Sequence, residues 1–547
     1  MLRKLIALGV FVLALAPSAY LAWTLRAMPH LGFYHDDSIY WVSAKSLADG
    51  HEYRIASLPG QPYQTKYPPL YPALLAGIWK INPNFPSNLP LATLFAWLLL
   101  PIYLAMVWLF LRQYGFGWRE RCILVLVAGL SPIAATFSVS LMPELLFTAL
   151  LVASVLLAER SLADDASAWL PALAGACGAL AYLTKSAAGP LLLTAPIYFV
   201  WRRQFVKAAL FFAAMLPAVA GWQWWSARHV SHSWDLVTLY YTNYFGFQIY
   251  NVPLRDLPLV FWHNLDGFLL GAGKLLTFDV PYGAKPLERV VAVAAIAGAV
   301  RLARRTKKLQ YPLAAAGVSA LLLVWHYVPD QRFVFPLYPL LLAGLWTELS
   351  NVWQALGAAW KKPAAAERAV AFLGAGALAA LALFVCFTTC FGLFYFLPDL
   401  FGSYRDALES RRPAYQWIAK NAPPDANVFA YDDPMMYLYA GRKSCNLPIP
   451  PTLFYHNDDA GIDKLLHSIP DFARQYQLSY VLLTPSDFYR DLHEPGARHL
   501  SEAVEQSGAF HPAFKSPSAA IYRLSPGSLR TRDKIGAGTD SLTVAVR

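Results

Sequence analysis

Long apolar segments recur through most of the chain and are separated by short polar stretches. An apolar run of about 20 residues is long enough to cross the hydrocarbon core of a bilayer as a helix. The first such run covers Leu5–Leu25 and the last covers Val370–Leu397. The pattern therefore predicts a polytopic α-helical membrane protein with about 11 transmembrane helices between residues 1 and 400.

The predicted spans share an apolar centre and polar or basic ends. They cover Leu5–Leu25, Leu89–Leu111, Arg121–Ser138, Pro143–Ala158, Trp169–Leu183, Gly189–Trp201, Phe205–Trp225, Val290–Leu302, Leu309–Val328, Phe333–Leu349 and Val370–Leu397. Two further apolar stretches, Tyr67–Ile81 and Leu257–Phe278, are predicted to lie at the outer surface, and the second could also re-enter the membrane. Counting either as a span would put a basic loop on the wrong side.

The position of the positive charge excludes one class of partner. The formal net charge is +11, and only 14% of the residues are charged. Such a charge could indicate nucleic-acid binding, but the basic residues cluster in short loops at 112–121, 202–207, 301–308 and 361–362. Lys and Arg in short loops are typical of the cytoplasmic side of membrane proteins. We therefore expect no nucleic-acid partner, a cytoplasmic N-terminus and an extracytoplasmic C-terminal domain.

The composition becomes that of a soluble domain from Gly402 onward. Helical and strand patterns alternate there, which indicates a small α/β domain at 401–525. The predicted helices and strands are Arg412–Asn421, Gly461–Tyr476 and Leu500–Gln506, and Asn427–Tyr431, Tyr480–Thr484 and Ala519–Leu524. The tail, 526–547, is predicted to be disordered. Within the membrane domain, 1–400, the regions 26–88 and 226–288 are predicted outer loops.

Two adjacent carboxylates stand in the first outer loop, in the sequence Tyr34-His35-Asp36-Asp37-Ser38-Ile39-Tyr40. Neighbouring side chains on a helix or strand point in different directions, so Asp36 and Asp37 are not expected to share one proton. One can face a substrate while the other caps a helix that starts near Ser38. A purely structural cap is the alternative interpretation.

Four other sites place charge at the predicted outer surface. Lys66 precedes a proline-rich turn at 67–72 and a helix N-terminus, which favours anions. It could instead be a lysine that snorkels to the interface. Glu144 opens a span, where a carboxylate also suits the helix dipole. Lys185 lies between two spans, and Arg332 begins another, where Asp330 could simply pair with it.

These charged residues fall on one side of the membrane in the predicted topology. Together they describe a cavity of mixed charge at the outer face. Ionisable residues in such a position are a functional-site hypothesis by default.

The order of these motifs resembles that of the GT-C glycosyltransferases, polytopic enzymes that use polyprenyl-phosphate sugars. The resemblance is closest to the branch that holds the protein O-mannosyltransferases and the lipid A aminoarabinose transferase. Asp36-Asp37 resembles the family's acidic pair, with Asp in place of its second acid, and Tyr40 matches an aromatic residue that often follows. The other matching elements are Lys66-Tyr67-Pro68-Pro69-Leu70-Tyr71, Glu144, Thr184-Lys185, and Arg332 with Pro336-Leu337-Tyr338-Pro339.

The resemblance implies the GT-C fold and transfer of a sugar from a polyprenyl-phosphate donor to an extracytoplasmic lipid, glycan or protein acceptor, with inversion. A base must take the proton of the acceptor, and cations must stabilise the charge that grows on the leaving phosphate. The implied roles are catalysis by Asp36, as general base, and Asp37, donor-phosphate binding by Lys66, Arg332 and Lys185, and substrate binding by Tyr40, Tyr67 and Glu144.

Neither the residues nor the resemblance requires a cofactor. Five cysteines show no disulfide framework and no zinc spacing, and no cluster of Asp, Glu and His demands a metal. The sequence leaves a divalent metal open. The implied location is the bacterial inner membrane, among its lipids.

Two other function classes would also carry charges within a polytopic protein. A lipid-linked glycan transporter or flippase would place some of them near the bilayer midplane and would more often show paired repeats with broken helices. An O-antigen ligase or polymerase would carry a different set of site residues. The predicted position of the charges at one surface favours the glycosyltransferase.

Overall fold

The computed structural model of the chain describes residues 2–278, 285–488 and 497–525. The predicted tail, 526–547, and part of the predicted long outer loop, 279–284, lie outside the described residues.

The described part of the chain is mainly helical. Its helices are α1 (Leu2–Thr24), α2 (Asp36–Ala48), α3 (Leu70–Ile81), α4 (Leu89–Gln113), α5 (Trp118–Gly129), α6 (Pro132–Ser138), α7 (Glu144–Arg160), α8 (Leu170–Thr184), α9 (Leu191–Trp201), α10 (Phe205–His229), α11 (Leu236–Thr242), α12 (Tyr244–Asn251), α13 (Leu257–Thr277), α14 (Lys285–Thr306), α15 (Gln310–Leu323), α16 (Gln331–Val334), α17 (Tyr338–Trp360), α18 (Ala365–Phe391), α19 (Leu397–Asn421), α20 (Asp433–Ala440), α21 (Pro451–Tyr455), α22 (Asp459–His467), α23 (Ile469–Gln475) and α24 (Ala497–Gln506). The strands are β1 (Asn427–Phe429), β2 (Lys443–Cys445), β3 (Tyr480–Leu483), β4 (Phe510–Ser516) and β5 (Ala519–Leu524).

Each predicted apolar segment is helical over most of its length, which confirms the helical membrane class. The number of about 11 spans is not confirmed. By length and composition, five helices within the described residues can cross a membrane, or up to six if α5 and α6, bent by 61°, count as one span. Several predicted spans form shorter helices. The 11 residues of α9 rise only about 16 Å, roughly half of the hydrocarbon thickness.

The chain divides into two compact units. The first comprises Met1–Tyr53, Tyr63–His232 and Tyr241–Tyr404, and the second comprises Arg54–Pro62, Ser233–Tyr240 and Arg405–Arg547. Two short segments from the predicted outer loops thus belong to the same unit as the chain after residue 405. One of them contacts β2, because the Ser444 N–H donates to the Ser57 carbonyl at 2.8 Å.

Glycines let several helices of the first unit pack with their backbones close together. A Cβ on Gly344 of α17 would collide with the Ala295 carbonyl of α14, and a Cβ on Gly298 would collide with the Gly344 carbonyl. A Cβ on Gly175 of α8 would likewise collide with the Phe211 carbonyl of α10. Small residues at such contacts are typical of helix packing in membrane proteins.

Helix α2 begins at Asp36, close to the helix start near Ser38 that the acidic pair suggested, although its sequence is polar as well as apolar and lies in a predicted outer loop. Most of its residues are nevertheless buried. It packs on α3, where the rings of Trp41 and Trp79 lie 4.7 Å apart and the Trp79 indole N–H donates to the Trp41 carbonyl at 3.1 Å. At the start of α2, the Tyr40 ring lies 4.8 Å from the Tyr67 ring, which places Asp36 next to the proline-rich turn.

The second unit contains a small sheet, with strand order β2-β1-β3-β5-β4 in its described residues. β1 pairs in parallel with β2 and β3, and β5 runs antiparallel between β3 and β4. The predicted α/β class is confirmed. Strands β2 and β4 were not predicted, since β2 has only three residues and β4 contains Pro512, which is unusual inside a strand.

Candidate active site

Asp36 opens α2 and lies between two hydrogen-bond donors. One carboxylate oxygen accepts from the Tyr67 hydroxyl, and the other accepts from the Arg332 guanidinium. The preceding residue, His35, has a left-handed backbone with φ 59°, which is uncommon for a residue with a side chain. The Asp36 side chain keeps 19% of its surface exposed. It is therefore a partly open carboxylate with both oxygens engaged.

Arg332 joins two carboxylates. Its Nε donates to Oε1 of Glu144 at 2.9 Å, while its terminal nitrogen donates to Asp36. Its guanidinium lies 5.3 Å from the ring centre of Tyr34, a contact that the sequence did not predict. Asp330 accepts from the Arg332 backbone N–H at 2.9 Å and caps the short helix α16. Asp330 therefore bonds to the backbone of Arg332, and the guanidinium of Arg332 bonds to Glu144 and Asp36.

Glu144 opens α7 and is fully buried. The Lys185 ammonium lies 2.8 Å from the same Oε1 that accepts from Arg332. Two cations thus converge on one carboxylate oxygen. The other oxygen, Oε2, has no hydrogen-bond partner among the described residues. A buried ion cluster of this kind is stable only while all of its charges are present, because each desolvated charge needs its counter-charge.

Lys66 lies in a buried aromatic shell beside Asp36. Its ammonium is 5.3 Å from the ring centre of Tyr67, 5.8 Å from that of Tyr244 and 6.0 Å from that of Phe247. Burial lowers the pKa of Lys66 to about 8, although the charge of Asp36 acts to raise it. Lys66 is thus still mainly cationic at neutral pH.

Asp37 points away from this cluster. Its carboxylate accepts from the backbone N–H groups of Gly32, at 3.0 Å, and Ser38, at 2.9 Å. Burial raises its pKa to about 7, against the opposing effect of those two N–H groups. Burial alone would also raise the pKa of Asp36, but the charges of Arg332 and Lys66 outweigh it and hold that pKa below its ordinary value. The side chains of Asp36 and Asp37 therefore point in different directions, and their pKa values shift in opposite directions.

Tyrosines complete the wall next to Asp36. The Tyr40 ring lies 4.8 Å from Tyr67 and 5.5 Å from Tyr71, and it is buried. Tyr40 therefore packs behind Tyr67, whose hydroxyl is the group that bonds to Asp36.

The structure brings most of the residues predicted for the site together. Asp36, Tyr67, Arg332, Glu144 and Lys185 form one hydrogen-bonded chain, with Lys66 and Tyr40 beside Tyr67, whereas Asp37 faces elsewhere. Tyr34, Tyr244 and Phe247 were missed. Aromatic residues make up 15% of the chain, so these three carry no distinctive spacing. Among the described residues, no group of three or more His, Cys, Asp or Glu is arranged to hold a metal ion.

Comparison with known proteins gives a family match and a fold match. Residues 66–225 match the family described as dolichyl-phosphate-mannose-protein mannosyltransferase, a segment that contains Lys66, Glu144 and Lys185. The oligosaccharyltransferase AglB from Archaeoglobus fulgidus, solved with an inhibitory peptide and a dolichol-phosphate, has a TM-score of 0.50 at 14% identity, over 97% of this chain and 75% of that chain. The chain has the GT-C fold.

Two further solved structures are also similar to this chain. Another oligosaccharyltransferase structure from Archaeoglobus fulgidus, in complex with Zn and sulfate, has a TM-score of 0.50 at 16% identity, over 91% of this chain and 70% of that one. ArnT from Cupriavidus metallidurans, bound to undecaprenyl phosphate, has a TM-score of 0.47 at 13% identity, over 96% and 98% of the two chains. No curated protein sequence matches significantly. The two oligosaccharyltransferase structures with a TM-score of 0.50 confirm the GT-C fold that the motifs indicated, and the family match supports a membrane glycosyltransferase.

We predict that neutralising one charge of the buried ion cluster lowers the stability of the protein, and that removing its partner charge restores part of the loss. Glu144→Gln keeps the size of the side chain but strands Lys185, and removing one partner of a buried ion pair costs about 3–5 kcal/mol. We expect the thermal unfolding midpoint of the purified protein in detergent to fall clearly. Adding Lys185→Met should restore part of the loss, because the stranded cation is then gone.

The exposed pair of Arg160 and Asp165 provides the control for this experiment, since Asp165→Asn breaks an ion pair of similar length at the surface. A double variant as unstable as the sum of the two single variants would show that Glu144 and Lys185 are not coupled.

Proposed function

We propose that this protein is a membrane glycosyltransferase that moves a hexosyl or pentosyl unit from a polyprenyl-phosphate donor to an acceptor outside the cytoplasm, with inversion. One observation carries the proposal. The Asp36 carboxylate, partly open to solvent, is bonded to Arg332 and Tyr67 and lies beside Lys66. A base next to two cations is what sugar transfer from a phosphate needs.

Lys66 and Arg332 are the proposed ligands of the donor phosphate. An arginine presents several N–H donors in a planar fork that suits phosphate oxygens, and a buried lysine adds a point charge. The family match supports a lipid-phosphate donor, because its members are described by dolichyl-phosphate-mannose. The AglB neighbour was solved with a dolichol-phosphate. Both lipids present a phosphate on a long apolar chain.

The reaction that this arrangement supports is a single displacement. The acceptor oxygen attacks the anomeric carbon while its proton passes to the Asp36 carboxylate. The bond between the anomeric carbon and the phosphate oxygen breaks, and the phosphate leaves with the electron pair and one more negative charge. Attack from the face opposite the leaving group inverts the anomeric carbon. Lys66 and Arg332 stabilise the added charge where it forms.

Donor binding would make Asp36 a stronger base. In the absence of phosphate, Arg332 and Lys66 hold the pKa of Asp36 below its ordinary value. A bound phosphate competes for both cations, so the carboxylate loses part of their stabilising field and its pKa rises. The base would therefore gain strength only when a donor is present.

The remaining residues have supporting roles in this proposal. Glu144 holds Arg332 in place, and Lys185 balances the charge of Glu144, so Lys185 acts on the phosphate mainly through this pair. Tyr67 orients Asp36, and Tyr40 supports Tyr67. Asp37 is the residue whose proposed catalytic role has least support, because its carboxylate bonds to backbone N–H groups. We propose that it fixes the turn before α2.

The orientation in the membrane is a prediction that rests on the basic loops. With Lys and Arg on the cytoplasmic side, the N-terminus lies inside and the C-terminal domain lies outside, in a bacterial inner membrane. A periplasm-dependent reporter fused after Asp399 should therefore be active. A fusion that is active only as a cytoplasmic reporter would contradict this orientation.

The base assignment predicts a large loss of turnover in Asp36→Asn. Asn has the same size and can still start a helix, but it cannot take a proton, so kcat should fall about 10²–10⁴-fold. The measurement is sugar transfer by the purified protein with a panel of polyprenyl-phosphate sugars. Asp37→Asn is the neighbouring control and should lose much less. Turnover that survives in Asp36→Asn but vanishes in Asp37→Asn would reverse the roles, and failure of the wild type with every donor would refute the proposed function.

The lowered pKa of Lys66 predicts a pH dependence of donor use. Above pH about 8 the free protein loses the proton on Lys66 and with it the charge that attracts the phosphate. The kcat/KM for the donor should therefore fall by about tenfold per pH unit on the alkaline side. Lys66→Arg stays charged and should keep its kcat/KM to higher pH.

Lys45→Arg is the matched control, because Lys45 lies on α2 and pairs with Asp49. Its pH profile should follow that of the wild type. Identical profiles for the wild type and Lys66→Arg would remove Lys66 from donor binding.

A further inference from the structure

A buried histidine lies next to the aromatic shell of Lys66. His326, in the loop between α15 and α16, is fully buried, with its ring centre 5.0 Å from that of Phe247 and 6.0 Å from that of Tyr244. The same two rings contact the Lys66 ammonium. His326 and the proposed phosphate ligand, Lys66, therefore lie against the same two aromatic rings.

Gln248 determines which nitrogen of His326 carries the proton. The Gln248 amide N–H donates to the Val324 carbonyl at 2.8 Å, so its oxygen Oε1 must face the histidine. That oxygen accepts from the His326 backbone N–H at 3.1 Å and lies 2.6 Å from Nδ1. An amide oxygen can only accept, so Nδ1 holds the proton and Nε2 keeps a free lone pair.

Nε2 is buried and has no hydrogen-bond partner among the described residues. Such atoms are rare, since buried polar groups are nearly always paired. Burial, together with the charge of Lys66, holds the pKa of His326 well below its ordinary value, so the ring is neutral at neutral pH. The protein therefore places a neutral, oriented acceptor beside a cation.

We propose that His326 Nε2 accepts a hydrogen bond from a hydroxyl group on the sugar of the donor, with Gln248 as its positioning residue. This inference rests on the proposed function. At neutral pH the donor phosphate carries no proton to donate, whereas every sugar hydroxyl can donate. A neutral acceptor next to Lys66 therefore selects the part of the donor that Lys66 does not bind. Tyr244, whose ring lies near both Lys66 and His326, is half-buried.

A pair of substitutions separates this role from a structural one. His326→Asn keeps an N–H near the position of Nδ1, so it can still bond to Gln248, but it removes the acceptor at the position of Nε2. His326→Gln does the opposite, because its longer amide reaches the Nε2 position. We expect kcat/KM for the donor to fall about tenfold or more in His326→Asn and less in His326→Gln. The reverse order would mean that His326 only supports Gln248, and would overturn the proposal.

The second measurement uses modified donors. Polyprenyl-phosphate mannose, or whichever sugar of the panel the wild type turns over, is compared with its single-deoxy analogues. One analogue should be a poor donor for the wild type yet equal to the parent donor for His326→Asn, because the hydroxyl then has no partner to lose. Unchanged discrimination across all of the analogues would refute the contact.

Binding of sugar-free polyprenyl phosphate distinguishes a failure here from a failure of the proposed function. His326→Asn should bind it as the wild type does, whereas Lys66→Ala should bind it at least tenfold more weakly. Weaker binding in His326→Asn would place His326 on the phosphate or in the fold and overturn the proposal. If the wild type used no donor at all, the proposed function itself would fail.

Discussion

The arrangement of the site depends on one buried charge, the guanidinium of Arg332. It bonds to Glu144, which lies 188 residues earlier in the chain, and to Asp36, which lies 296 residues earlier. A buried cation without its counter-charges would cost far more than one hydrogen bond returns. The starts of α2, α7 and α16 must therefore meet at one point, and the fold of the first unit is constrained to bring them there.

This constraint agrees with where the charged side chains sit on their helices. Asp36, Glu144 and Arg332 all lie in the first turn of a helix, and Lys185 follows the last turn of α8. Helix ends are the places in an apolar protein where polar groups are already present, because the first N–H groups and last carbonyls have no partners within the helix. Charges there need less rearrangement of the surrounding helices than charges at mid-helix.

The sequence predicted the charged part of the site because charges are rare in an apolar chain and stand out. It did not predict Tyr34, Tyr244, Phe247 or His326, whose contacts are made only by the fold. The predicted number of spans is not confirmed, because apolar composition does not reveal how short a helix such as α9 is. The direction of Asp37 is an intermediate case. The sequence predicted that the two side chains point in different directions. The hydrogen bonds from the N–H groups of Gly32 and Ser38 show that Asp37 is the one that points away from Arg332.

Lys66 and His326, the two proposed recognition groups, show how one environment can affect two side chains differently. Burial lowers the pKa of both. For a lysine the shift still leaves a cation at neutral pH, while for a histidine it removes the charge altogether. The lysine charge also disfavours a proton on the neighbouring histidine, so the two groups reinforce their difference. A substrate with an anionic part joined to a neutral hydroxylated part is the kind of molecule that such a pair can orient, because each part has only one suitable partner.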